Sequence, residues 1–182
     1  MEHRTADELA AALDEIRRSP ASAGTVELIV RRPAEDEREV LDECALDLTE
    51  GLVGDAWLAR GSKSRPDGSA NPNAQLTLMN ARAAEVITGS RGRWPLAGDQ
   101  LYVDLDLSVD NLPAGTQLAV GDAVVEVTAV PHTGCAKFSA RFGTEALKFV
   151  NKSPGRELRL RGVNARVVTP GTVRAGDAVA KL

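Results

Sequence analysis

The stretch Pro131-His132-Thr133-Gly134-Cys135-Ala136-Lys137-Phe138-Ser139-Ala140-Arg141-Phe142 concentrates the chemically active residue types of this 182-residue chain. A cysteine thiolate is both a strong nucleophile and a soft metal ligand, yet an ordinary thiol is only a few per cent ionised at neutral pH. Glycine frees the backbone ahead of Cys135, and Thr133 or Gly134 can cap a helix. The thiol would then stand in the first helical turn, whose positive end favours a thiolate. His132, Lys137 and Arg141 are the nearby cations. His132 either handles a proton for the thiol or simply ends a strand after Pro131. The alternative for Cys135 is a small buried hydrophobe. Cys44, in Asp42-Glu43-Cys44, has acidic neighbours that oppose ionisation.

A second cluster lies in Gly155-Arg156-Glu157-Leu158-Arg159-Leu160-Arg161-Gly162 and runs on to Arg166. Guanidinium groups bind anions through paired N–H donors, so Arg156, Arg161 and Arg166 are candidate anion ligands. The alternative is a solvated strand face with Leu158 and Leu160 turned inward. Lys63 and Arg65 lie in a long loop that can close over the same ligand. Asn111, in Val109-Asp110-Asn111-Leu112-Pro113, lines a pocket or holds the turn.

These groups need a scaffold. Thr5 and Glu8 form a capping-box pattern ahead of Leu9, Leu13 and Ile16, which predicts an amphipathic helix ending at Ser19-Pro20. Thr25 to Arg32 alternates as a strand. The acidic span 33–47 fits either an exposed helix or a strand entered at Val40. The span 60–74 is rich in glycine, serine and proline and reads as a long mobile loop. Beyond it, a strand over 75–79 leads to Asn80, a helix cap, and a short helix closed by Gly89. Further strands are expected near 100–107, 123–130, 164–170 and 177–182, with helical patches around 135–142 and 145–150. Four Gly-Asp pairs, at Gly54, Gly98, Gly121 and Gly176, read as turns. Many short strands separated by turn signals favour a barrel or sandwich.

Composition narrows the function classes. With 43% hydrophobic and 26% charged residues the chain fits one ordinary domain rather than a disordered or disulfide-built one. Residues 1–24 are expected to form the helix and a link, and 25–182 a single domain. A net charge of -4 offers no cationic field for nucleic acid or an anionic membrane. The start lacks the order of a secretory signal, and no stretch approaches about 18 uninterrupted apolar residues, so a cytoplasmic protein is expected. Two cysteines and two histidines are a thin ligand supply for structural zinc.

The ordered set Gly51-Leu52-Val53-Gly54-Asp55, Gln75 to Asn80, Gly98 to Leu107, Val109 to Thr128, His132 to Phe138 and Asn164 to Val179 resembles the MOSC family, the molybdenum-cofactor sulfurase C-terminal domain. The resemblance spans about residues 51–182. It implies a mainly β fold: a closed, mixed β-barrel similar to the inserted barrel of pyruvate kinase, with a few short helices. It also implies sulfur handling for, or binding of, the molybdenum cofactor, with the family cysteine at Cys135 as sulfur carrier or molybdenum ligand. The basic residues named above would then hold a pterin-phosphate-like anion. A non-catalytic binding or delivery module is one alternative. Reductive detoxification of N-hydroxylated compounds with electron-transfer partners is another. Many bacterial members carry a histidine after the first Gly-Asp, where this chain has Ala56-Trp57. No pyridoxal-phosphate domain or site is recognisable here, so sulfur would have to come from a separate pyridoxal-phosphate-dependent cysteine desulfurase.

Overall fold

Seven strands close on themselves in the computed structural model, which describes residues 3–182. Around the barrel they run β1 (Ala23–Arg31), β6 (Leu101–Asp104), β5 (Leu76–Asn80), β9 (Val163–Thr169), β8 (Ala123–Val127), β7 (Gln117–Val120) and β11 (Ala178–Lys181). Closure comes where β11 returns antiparallel to β1, with Gly24 opposite Val179. Every pairing is antiparallel except β5 with β6, so the barrel is mixed, as expected. A Cβ on Gly24 would lie 1.7 Å from the Asp104 carbonyl oxygen, so only glycine lets β1 approach β6 there.

The parallel pair requires a crossover, supplied by α4 (Ala81–Thr88) and a 3-10 stretch over Arg91–Ala97. Asn80 caps α4 by accepting the Ala83 N–H at 2.8 Å, and Gly89 ends it at φ 78°, both legible in the sequence. Strand periodicity then builds two cores. Leu78 and Leu101 face the barrel interior with Val26, Val103, Val125 and Ala165. Their neighbours Met79 and Tyr102 face outward, under Ile87, Trp94, Phe138 and Phe142. Both faces of β5 are thus covered.

The N-terminal helix is two pieces, α1 (Ala6–Ala11) and α2 (Leu13–Arg17), broken at Ala12. The Thr5–Glu8 capping box is present, and Leu9 and Ile16 are buried in the outer core. The ambiguous span after β1 resolves into β2 (Glu39–Leu41), an eighth strand on β1, and β3 (Glu43–Asp47), and not a helix. β3 joins a small sheet with β4 (Gly51–Leu52) and β10 (Gly171–Arg174). The loop beyond α3 (Trp57–Arg60) is shorter than the sequence implied, since Pro72–Ala74 forms a 3-10 turn. The Arg-rich span 155–162 is a chain of turns rather than a strand. Two helices close the site region, α5 (Ala136–Phe142) and α6 (Thr144–Asn151).

Candidate functional site

Where β8 leaves the barrel, residues 128–133 run beside the turns 156–162 and the end of α6, and the three segments enclose a cleft of about 360 Å³. Val109, Val130, Val150 and Val163 give it an apolar wall; His132, Asn164, Arg156, Arg159 and Arg161 bring polar groups to it. Asn164 Nδ2 donates to the Val130 carbonyl at 3.1 Å, fixing the loop's path. Gly162 adopts φ 107°, and a Cβ there would meet the Leu78 carbonyl oxygen at 2.3 Å and His132 Cδ2 at 3.2 Å. The missing side chain lets the turn wedge between barrel wall and imidazole.

The polar groups are not equivalent. Arg161 is buried: Nη1 meets Asp99 Oδ2 at 2.5 Å, Nη2 donates to Ala97 O at 2.9 Å, and its guanidinium lies 5.1 Å from the Phe138 ring centroid. Its charge is spent on Asp99. Arg159 instead donates from Nη1 to the Leu112 carbonyl at 2.6 Å, while Nε and Nη2 have no protein acceptor among the described residues. Its backbone takes φ 48°, a conformation that costs a non-glycine residue on the order of 1 kcal/mol and recurs at functional sites. Arg156 is exposed at the rim, 3.5 Å from Glu157. Arg159 is therefore anchored by one donor and keeps others free, whereas Arg156 has only its rim contact with Glu157.

Cys135 follows directly from this loop. It is an exposed free thiol at the N-cap of α5, with no side-chain cap bond. Gly134 ahead of it is held in place by the Asn151 side chain. Lys137 and Arg141 are paired with carboxylates. Lys137 Nζ pairs with Glu35 at 2.6 Å, and Arg141 pairs with Asp36 at 2.6 Å and with the Leu96 carbonyl. His132 turns to Asp99, Nε2 to Oδ1, 2.8 Å. Cys44 is buried, and burial followed by the charge of Glu43 pushes its thiol up to about 12.

The cleft thus gathers His132, Arg156 and Arg161; Cys135 lies outside its lining, two residues beyond Thr133 in the chain. It does not include the other basic candidates. Arg166 pairs with Glu126, and Arg65 bonds Ser69 and Asp67 within its own loop. Lys63 lies exposed on that same loop, outside the lining. Asn111 Nδ2 holds the carbonyls of Ala21 and Asp106, the turn role. Missing from the expected set are Asp99, Asn151 and Asn164, which organise the site. Arg159 was visible within the arginine run but carried no local sign of its special backbone.

Among the described residues no group of three or more His, Cys, Asp or Glu side chains converges as a metal site, and no helix is long and apolar enough to cross a membrane.

The family model for the MOSC domain matches residues 69–180. The crystal structure of the YuaD protein from Bacillus subtilis superposes with a TM-score of 0.59 at 16% identity, covering 86% of this chain and 94% of that one. YiiM from Escherichia coli gives 0.55 at 18%, covering 87% and 69%. YiiM from Geobacillus stearothermophilus gives 0.52 at 15%, covering 89% and 73%. At these identities the likeness is one of fold. No curated protein matches the sequence.

Proposed function

The chain belongs to the MOSC domain family, and from that premise we propose that it is a sulfur carrier that binds the molybdenum cofactor, with Cys135 as the thiol. The observation that carries this reading is the exposed Cys135 at the start of α5, immediately after a loop that lines an arginine-bearing cleft.

The residues present fit an anionic cofactor. Arg159 has unspent N–H donors, Arg156 is free to swing at the rim, and the valine wall suits a flat apolar ring. Cys135 is the residue of this chain that would hold the cofactor's metal, as a soft thiolate ligand. When bound, the cofactor supplies the metal centre that receives or exchanges sulfur. The chain's own step is simpler. The Cys135 thiolate attacks the terminal sulfur of a persulfide on a separate desulfurase; the donor S–S bond breaks, the donor leaves as thiolate, and Cys135 becomes the persulfide.

A second reading, cofactor binding without sulfur turnover, draws on the pairing of Lys137 and Arg141 with Glu35 and Asp36. Those cations are engaged by carboxylates of the loop after β1. Native mass and metal analysis of protein purified from its own host tests both. Molybdenum and a pterin in the wild type, lost in Cys135→Ser, are expected. Absence of molybdenum from the wild type, with a known molybdoprotein from the same cells loaded, overturns cofactor binding in either form.

A further inference from the structure

His132, Asp99 and Arg161 form a buried relay whose free end opens on the cleft. Asp99 is sealed from solvent. Burial pushes its carboxyl up, but Arg161 and His132 outweigh that and hold it well below the usual carboxylate range. An ionised carboxylate only accepts hydrogen bonds, so the hydrogen in the 2.8 Å contact belongs to His132 Nε2. Burial and then the charge of Arg161 press the imidazole toward its neutral form, against the pull of Asp99, with Arg32 adding to the downward side. A neutral imidazole carries one N–H, which leaves a lone pair on Nδ1.

Nδ1 has no protein partner among the described residues. It is not sealed either, because the one buried side-chain nitrogen or oxygen there without a partner is Arg161 Nε. His132 lines the cleft, and of its two ring nitrogens Nδ1 is the one neither bonded nor sealed. Arg159, with free donors, lines the same cleft. A cation and a fixed acceptor lining one cleft suit a particular ligand chemistry: an oxyanion that keeps an O–H.

We propose that His132 Nδ1 accepts the O–H of such an anion, hydrogen phosphate being the simplest, so that the cleft selects it over fully ionised sulfate. Asp99 is the positioning residue that fixes the tautomer, and Arg161 holds Asp99. The inference rests on the reading of the cleft as an anion site and adds to it a test of protonation. Sulfate offers Nδ1 only lone pairs, and a mismatched polar contact of this kind lowers affinity about tenfold or more.

Calorimetry at neutral pH with inorganic phosphate and with sulfate separates the outcomes. The wild type is expected to prefer phosphate by about tenfold or more. His132→Phe, which offers the anion no acceptor, should lose that preference while keeping its sulfate affinity. Arg159→Gln should weaken both anions. Equal binding of both anions by the wild type overturns the inference and leaves the anion site standing. Binding of neither overturns both. A preference that survives in His132→Phe removes the role from this residue. Nitrogen-15 spectra of the unaltered protein provide an independent reading: the Nε2–H tautomer is expected at neutral pH, and an Nδ1–H tautomer or an imidazolium contradicts the proposal whatever the variants do.

Discussion

Asn151 grips Gly134 on both sides: its Oδ1 accepts the Gly134 N–H at 2.8 Å and its Nδ2 donates to the Gly134 carbonyl at 3.0 Å. The last residue of α6 thereby fixes the peptide that precedes Cys135. A Cβ on Gly134 would also meet Leu147 Cδ1 at 2.8 Å, so the loop lies tight against α6. Asn151→Ala should cost about 1–3 kcal/mol, the usual loss when partly buried polar groups are left without partners. Hydrogen exchange should rise at residues 133–136 while the barrel strands stay protected. Unchanged exchange there would show that the clamp does not hold the loop.

The two thiols should behave as different reagents. Cys135 is exposed, whereas Cys44 is buried with its thiol pushed up to about 12. Alkylation of the native protein at mildly alkaline pH, followed by peptide mass analysis, should label Cys135 and spare Cys44 until denaturant is added.

Replacing Asp99 by asparagine removes the counter-charge of buried Arg161. Breaking such a pair from one side costs about 3–5 kcal/mol, because the remaining charge stays buried. Denaturant unfolding of Asp99→Asn should show that loss. Arg166→Gln, which disrupts an exposed pair with Glu126, should stay within about 1 kcal/mol of wild type.

Stability should fall at both ends of the pH range. Burial, then Arg161, lowers His132 from 6.5, so the unfolded chain binds its proton first and stability drops as pH falls below about 6.5. Asp99, held below its ordinary 3.8, adds a further loss in stronger acid. In alkali the sign reverses. The folded protein keeps the Cys44 proton that the unfolded chain releases above 9.0, so stability declines between there and about 12. Buried Tyr102, raised from 10.0, acts in the same direction. Thermal melting across pH should therefore show a plateau near pH 7–9, and a melting temperature that rises steadily from neutrality into alkali would contradict these burial effects.

Local patterns carried most of the fold. The Thr5 capping box, the Asn80 cap and the alternation in Leu76–Asn80 are each decided by neighbours in sequence, and each stands as read. What local pattern left open or misread depended on distant partners. The acidic span after β1 becomes strands because β3 pairs with β10, more than a hundred residues away. The four Gly-Asp pairs look alike in sequence, and all four glycines take positive φ. Yet Asp177 accepts the Arg174 N–H as a turn residue, whereas Asp55 and Asp99 are buried against Arg32 and Arg161. In the first motif the Asp55 carboxylate is engaged by Arg32 Nε and Nη2, both at 2.9 Å, and by the Trp57 N–H. At the site, nearness in sequence misled for Lys137 and Arg141, whose acidic partners come from the loop after β1. Burial decides these roles, and burial is a property of the folded barrel.

Incubation of the purified protein with a pyridoxal-phosphate-dependent cysteine desulfurase and free cysteine, followed by mass spectrometry of its peptides, asks most directly whether Cys135 carries sulfur. One added sulfur atom is expected on the Cys135 peptide, none on the Cys44 peptide, and none at all in Cys135→Ser. An unmodified Cys135 peptide in the wild type, while a known acceptor protein in the same reaction is loaded, would contradict sulfur carriage by this chain.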